Sequence, residues 1–158
     1  MEERFAIRLA TLSDLPVLIH HRRAMFQDIR DYDPAELDAH DAAFRLWVQE
    51  QMARGDYFTW LMTNQDNRVV AGAALWMKDM PPSPGEVANR RAYILNVYTE
   101  PPYRRRGLAT RLMRKILHWC EEQRVDGALL HASDAGRPVY ESLGFVQTNE
   151  MRIRFEHT

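Results

Sequence analysis

The 158-residue chain carries 21 basic against 22 acidic residues, so it has no bulk charge with which to hold a nucleic acid. Its length and its 46% apolar share suit one ordinary globular domain over residues 1–158. The single cysteine, Cys120, excludes an internal disulfide, no His/Cys grouping has zinc spacing, and no run of about 18 apolar residues predicts a membrane span. The charged start "MEERFAIRLA" lacks a secretory apolar region, so a cytoplasmic protein with no metal and no membrane partner is expected.

Residues 4–9, "RFAIRL", alternate as a first strand. "TLSDLP" then offers a helix start, with Ser13 as N-cap and Pro16 in the first turn. Leu15, Leu18, Ile19, Phe26 and Ile29 recur at helical spacing behind it, while the run "HHRR" (20–23) reads as a mostly solvated face. Asp33 before Pro34 repeats the start signal, and Phe44, Trp47, Val48 and Met52 form a second stripe before Gly55. "YFTWLMT" and "RVVAGAALWM", joined by the polar "NQDN" (64–67), predict a β-hairpin.

"MPPSPGEVANR" is a loop, and "AYILNVYT" (92–99) is apolar on both faces. Tyr93, Leu95 and Val97 are expected on one face and Ile94 and Tyr98 on the other, with Asn96 the polar exception, as in a central strand covered on both sides. From Leu108 onward, Leu112, Met113, Ile116 and Trp119 make a wide apolar helix face, with Arg111, Arg114, Lys115 and Glu122 opposite. "GALLHAS" predicts a short buried strand, "GRPVYESLG" a short helix closed by Gly144, and "MRIRFE" a final alternating strand. The order β-α-α-β-β-β-α-β-α-β makes this a mixed α/β chain.

The stretch "PPYRRRGLAT" (101–110) concentrates three arginines where the central strand gives way to the long helix. A helix start leaves its first N–H groups unpaired and carries partial positive charge. Gly107 has no side chain to keep an anion from the main chain, so amides and guanidinium groups converge as in a diphosphate cradle; a solvated corner is the plainer alternative. The stretch is neither a P-loop nor a GxGxxG turn.

"LNVYTEPPYRRRGLATRLM" resembles the acetyl-coenzyme A signature of the GNAT superfamily of N-acetyltransferases. The family form is Arg or Gln, two residues, Gly, one residue, then Gly or Ala, which Arg104, Gly107 and Ala109 satisfy. "HASDAGRPVYESLGF" (131–145) resembles the family's second signature, and the element order matches over essentially the whole chain. The resemblance implies a mixed, mostly antiparallel central sheet flanked by helices, with acetyl-CoA as cosubstrate and no metal. It assigns the diphosphate to Arg104, Arg105, Arg106, Gly107, Leu108, Ala109 and Thr110, and the pantetheine arm to the strand edge at Val97, Tyr98 and Thr99.

Tyr140 matches the family tyrosine that protonates the departing thiolate, and a phenol is protonated at neutral pH. A backbone N–H near Val97 would meet the oxyanion. Ser133 stands where many relatives carry an Asn that touches the coenzyme, and it equally suits a helix cap; Pro138 fits the first helical turn and could line the coenzyme arm. His131 is the candidate general base, against a buried structural histidine or an ordered water, and Glu100 reads as a solvated turn residue. On the acceptor side Asp28 and Tyr32 would form an acidic, aromatic lip for a cationic amine, with Trp76 and Asn96 facing the cleft; Trp76 equally suits the core.

The reaction expected is transfer of acetyl from acetyl-CoA to a primary amine of a small molecule or peptide, by direct attack with both substrates bound. The alternatives are a non-catalytic acyl-CoA sensor on the same fold and, on the arginines alone, a nucleic-acid binder, which the balanced charge disfavours. The acceptor's identity, the acyl length and any pairing of an exposed sheet edge with a second copy, as a homodimer, stay open.

Overall fold

Hydrophobic alternation and turn chemistry set the strands of this chain, of which the computed structural model describes residues 2–157. Among those residues the elements are β1 (Ala6–Leu9), α1 (Leu15–Ile29), α2 (Pro34–Ala53), β2 (Tyr57–Thr63), β3 (Val69–Asp79), β4 (Arg90–Thr99), α3 (Leu108–Glu122), β5 (Ala128–Leu130) and α4 (Arg137–Ser142). The strands lie in sequence order; β1 to β4 pair antiparallel, and β4 pairs parallel with β5 through the crossover helix α3. This is the mixed, mostly antiparallel sheet flanked by helices that the resemblance implies. No helix among the described residues is long and apolar enough to cross a membrane.

Period-two alternation along β2 builds two cores. Trp60 and Met62 join Leu75, Ile94 and the α3 residues Leu112, Met113 and Ile116 on one face. Tyr57 and Leu61 join Leu15, Leu18, Phe44 and Val48 of α1 and α2 on the other. Arg111, Arg114 and Lys115 of α3 are exposed, as the amphipathic pattern requires.

The helix starts follow local hydrogen-bond chemistry. Asp33 caps α2 by accepting from the Ala35 N–H at 2.9 Å. Ser13 does not cap α1: residues 12–14 form a 3₁₀ turn, and Asp14 takes the cap position. The Asp14 carboxylate accepts from the Thr11 N–H at 2.8 Å and pairs with Arg8 at the same distance. Ile29, placed on the apolar stripe by its spacing, is exposed at the end of α1.

Three further expectations are corrected. The strand expected at "MRIRFE" does not form: residues 146–157 belong to no helix or strand and are exposed, because alternation supplies a strand's faces but not a neighbour to pair with. The faces of β4 are not those of a regular strand, since Val97 packs with Ile94 in the α3-side core while Tyr98 packs against His21 of α1. The run 20–23 is not a solvated face either, as His21 is 2% exposed and Arg22 is half-buried. At about 100° per residue its side chains turn to different neighbours, the two histidines to Glu100 and Tyr98, Arg22 to Asn96 and His40, and Arg23 to Asp38 and Asp41.

The His21 ring lies on β3 where there is no side chain, and a Cβ added at Gly72 would sit 3.0 Å from its Nδ1. Burial is the largest influence on His21 and pulls its pKa down from 6.5 to about 4, outweighing Glu100 at 3.7 Å. The unfolded chain therefore binds a proton there before the folded chain does. The stability this contributes is complete above about pH 6.5 and is lost as the pH falls towards 4. At roughly 1.4 kcal/mol per unit, the loss is on the order of 3 kcal/mol. Urea unfolding at pH 7 and pH 4.5 should show this acid loss in the wild type and a much smaller one in His21→Gln; equal losses would show that His21 is not responsible.

Candidate active site

The register of β3 with β4 slips by one residue at the centre of the sheet. Gly72 faces Tyr98 and Ala74 faces Leu95, so Asn96 and Val97 together oppose Ala73. Asn96 supplies the turn of this bulge with φ 55°, a left-handed conformation that Asn tolerates better than most residues. Both of its amide atoms are engaged: Nδ2 donates to the Tyr57 hydroxyl at 2.7 Å, and Oδ1 accepts from Arg22 Nη1 at 2.6 Å. Arg22 also donates through Nε to His40 Nε2 at 3.0 Å, and its guanidinium lies 5.0 Å from both the Phe26 and Phe44 rings. His40 accepts at Nε2, so its proton sits on Nδ1, 3.2 Å from Asp41. Burial holds Arg22 below its ordinary pKa and pushes Tyr57 up to about 12, so the phenol stays protonated.

Past the bulge, β4 keeps β3 as a neighbour but loses β5. Its pairing with β5 ends at Ile94 opposite Leu130, so among the described residues Leu95–Thr99 have no strand on that side. The Glu100 N–H bonds to the Val70 carbonyl at 2.9 Å, which fixes the alternation and turns the peptide groups of Val97 and Thr99 towards the open edge. The Thr99 carbonyl accepts from Arg104 Nε at 2.9 Å.

The open edge leads through a 3₁₀ turn at Pro101–Tyr103 to the tip of α3. Gly107 is the helix N-cap with φ 73°, and Arg105 two residues earlier has φ 62°. The first helical bond runs from the Arg111 N–H to the Gly107 carbonyl, leaving the N–H groups of Leu108, Ala109 and Thr110 without helical partners. A Cβ at Gly107 would meet nothing within 4 Å, so the space over the tip is clear. The three arginines divide their tasks. Arg104 pairs with Asp28 at 2.7 Å and lies over Tyr98, and Arg106 pairs with Glu3 at 2.7 Å. Arg105 has no ion pair among the described residues.

His131 and Tyr140 line a cleft of about 690 Å³ beside β5 that also takes in Tyr93, Leu129 and Phe145, and Tyr140 and Val97 both pack against the α3-side core. His131 lies just past the end of β5 and is exposed, not a buried structural histidine. Tyr140 is half-buried, with its ring 6.0 Å from Phe145, and burial raises its pKa. A Cβ at Gly136 would lie 3.0 Å from that ring. Ser133 serves the turn into α4: its Oγ accepts from the Gly136 N–H at 3.1 Å and its carbonyl from the Arg137 N–H at 3.0 Å. Pro138 is exposed in the first turn of α4. The α3 tip and Val97 do not line this cleft.

The acceptor-side candidates are largely spoken for. Asp28 is neutralised by Arg104, Tyr32 packs edge-on to Phe26 under the Arg30 guanidinium, and both amide atoms of Asn96 bond within the protein. The half-buried Trp76 donates to Gln51 at 3.2 Å and packs on Trp47. Glu100 is not a solvated turn residue, since its side chain is 25% exposed and bonds to His20 Nε2 at 2.7 Å. Sequence reasoning missed Arg22, His40 and Tyr57. The signal for Arg22 lay in "HHRR", where the helical step that separates its neighbours also turns one side chain onto β4.

A family model described as "Acetyltransferase (GNAT) family" matches residues 22–145. A GCN5-related N-acetyltransferase from Ralstonia eutropha JMP134 is 33% identical over 96% of this chain and 99% of its own, with a TM-score of 0.89. A predicted acetyltransferase from Clostridium acetobutylicum, solved with acetyl-CoA, is 27% identical over 96% of both chains, with a TM-score of 0.87. An aminoglycoside N-acetyltransferase in complex with CoA shares the fold at 17% identity and a TM-score of 0.69, over 100% of this chain and 98% of that one. No curated protein sequence matches the chain. With a family model across most of its length and a one-third identical structure across nearly all of it, the chain belongs to the GNAT family of acetyltransferases.

Proposed function

We propose that this chain transfers acetyl from acetyl-CoA to a primary amine by direct attack while both substrates are bound. The observation that carries the reading is the unpaired β4 edge at Val97, which runs straight into the unpartnered amides of the α3 tip. A pantetheine arm extends the sheet along that edge by bonding to Val97. The diphosphate lies over Gly107 against the N–H groups of Leu108, Ala109 and Thr110, within reach of Arg105. Arg104, braced on the Thr99 carbonyl and Asp28, holds the loop in place.

The acceptor nitrogen forms a bond to the thioester carbonyl carbon, and the carbon–sulfur bond breaks. The Val97 N–H meets the charge that develops on the carbonyl oxygen. Tyr140, which burial keeps protonated, gives its proton to the leaving thiolate, and His131 takes the amine's proton directly or through water. Transfer through an acyl-enzyme is disfavoured, because Cys120 is buried within α3 and its pKa is pushed up to about 11. The same-fold enzyme named for an aminoglycoside is a precedent for a small amine acceptor.

A panel of polyamines, amino acids, aminoglycosides and peptides should contain an amine that stimulates thiol release from acetyl-CoA. Tight coenzyme binding with no stimulation by any amine would favour the sensor reading. With the active amine, Tyr140→Phe should lower kcat by about 10²- to 10⁴-fold and leave CoA affinity within about threefold; an unchanged kcat would remove Tyr140 from this role. Gly107→Val should cost about 1–2 kcal/mol of stability from its positive φ. Because the space over Gly107 is otherwise clear, the same variant should weaken CoA binding at least about tenfold. Unchanged affinity in a folded Gly107→Val protein would place the diphosphate elsewhere.

A further inference from the structure

One face of the sheet gathers positive charge with no acid to balance it. Tyr93 pairs with Trp76 across β3 and with Leu129 across β5, and Lys78 lies two residues beyond Trp76, so all four share that face. It is the face covered by α1 and α2, since the Trp76 ring packs 5.2 Å from Trp47 of α2. Lys78 Nζ lies 5.8 Å from the centre of the Tyr93 ring. Arg22 reaches the same place from α1, where the Tyr57 and Tyr93 phenols favour its charge. Its Nε is used on His40 and its Nη1 on Asn96, but Nη2 has no partner among the described residues and is not sealed from water.

Neither Arg22 nor Lys78 has an ion pair among the described residues, and the nearby acids are already taken. Asp41 bonds to His40 at 3.2 Å and to Arg23 at 2.7 Å, Glu86 pairs with Arg91 at 3.0 Å, and Asp56 pairs with Arg90. Asp79 follows Lys78 but alternation turns it to the opposite face, where it accepts from Asn89 at 3.3 Å. A cation that has lost part of its water and found no counter-charge gains most from an anion that arrives later. The place is also the right one for an acceptor. Arg22 is bonded to Asn96, which precedes Val97, and Tyr93 is where this face opens into the cleft lined by Leu129 and His131.

We infer that the acceptor amine carries its own carboxylate, as an α-amino acid does, and that Arg22 Nη2 and Lys78 hold that carboxylate beside Tyr93. The inference rests on the acetyl-transfer reading proposed above and names the substrate class for it. Arg22 supplies a planar donor fixed in place by Asn96 and His40, and Lys78 a movable point charge. A carboxylate anchored there stands next to the bulge, so an amine on the neighbouring carbon is presented to the thioester whose oxygen meets the Val97 N–H. The half-buried rings of Trp76 and Tyr93 leave apolar surface for the rest of the acceptor. The same two charges repel an amine that brings only positive charge, and Asp28, the acid expected to attract one, is neutralised by Arg104.

Thiol release from acetyl-CoA, with the protein α-amino acids, their carboxamides and spermidine as acceptors, separates the charge classes. The best amino acid should exceed its own carboxamide at least about thirtyfold in kcat/KM. Lys78→Ala should raise KM for that amino acid about tenfold at unchanged kcat and leave the carboxamide's KM as it was, a split that a merely structural lysine would not produce. Lys78→Glu should turn the preference towards the carboxamide and spermidine. A carboxamide or spermidine acetylated as well as the amino acid, or a wild-type KM in Lys78→Ala, would overturn the inference and leave acetyl transfer intact. Calorimetry of the CoA complex with the same amino acids gives the opposite separation. Amino-acid binding that Lys78→Ala weakens about tenfold, in a protein that acetylates none of them, would uphold the carboxylate site and overturn the transfer. An amino-acid set that neither binds nor is acetylated would overturn the carboxylate site.

Discussion

The architecture of the site depends on a single buried hydrogen-bonded group, Arg22 and Tyr57 closing on the amide of Asn96. A non-glycine residue at φ 55° in mid-strand is unfavourable on its own, and two short buried hydrogen bonds, one from a cation, hold it there. Because the bulge inserts one residue, every β4 side chain beyond it changes face. Val97 joins the α3-side core and Tyr98 meets α1. The pairing with β5 ends just before the bulge, at Ile94 opposite Leu130, where β5 itself stops, so the rest of β4 is an open edge on that side. The arginine is held by faces as well as by bonds, between Phe26 and Phe44, so α1 and α2 both register on the bulge.

The charge at residues 104–106 follows from the same geometry. A loop that leaves an open strand edge for a helix tip has few backbone partners of its own, and its arginines supply them. Arg104 ties the loop to the Thr99 carbonyl and to Asp28 of α1, and Arg106 ties it to Glu3. Only Arg105 lacks an ion pair among the described residues. Most of the cluster is thus structural positioning of a helix terminus, and the anion-attracting part is the terminus itself with one guanidinium beside it.

Local chemistry made much of the fold legible. β2 runs from Tyr57 to Thr63 as its β-branched and aromatic run predicts, Asp33 caps α2, and Leu112, Met113 and Ile116 face the sheet. What stayed hidden depends on neighbours far away in the sequence. Asn96 read as a polar exception in an alternating strand because a bulge is visible only against Ala73 of its partner. "HHRR" read as solvent-facing because the glycine that makes room for His21 lies fifty residues downstream, at Gly72. "MRIRFE" showed strand alternation correctly but not that its own chain leaves it unpaired. The coenzyme loop could be read from sequence because a helix start, a glycine and its arginines are contiguous; the acceptor side could not, because Arg22, His40, Tyr57 and Asn96 meet only in three dimensions.

The central claim is that an open β4 edge and the α3 tip form one continuous site, with the tip gripping a diphosphate. Titration calorimetry with CoA and, separately, with pantetheine tests it most directly, since the two ligands share the arm and differ in the phosphates. The account predicts saturable binding of CoA and affinity for pantetheine at least about a hundredfold weaker. Equal affinities, or no heat with CoA, would contradict it.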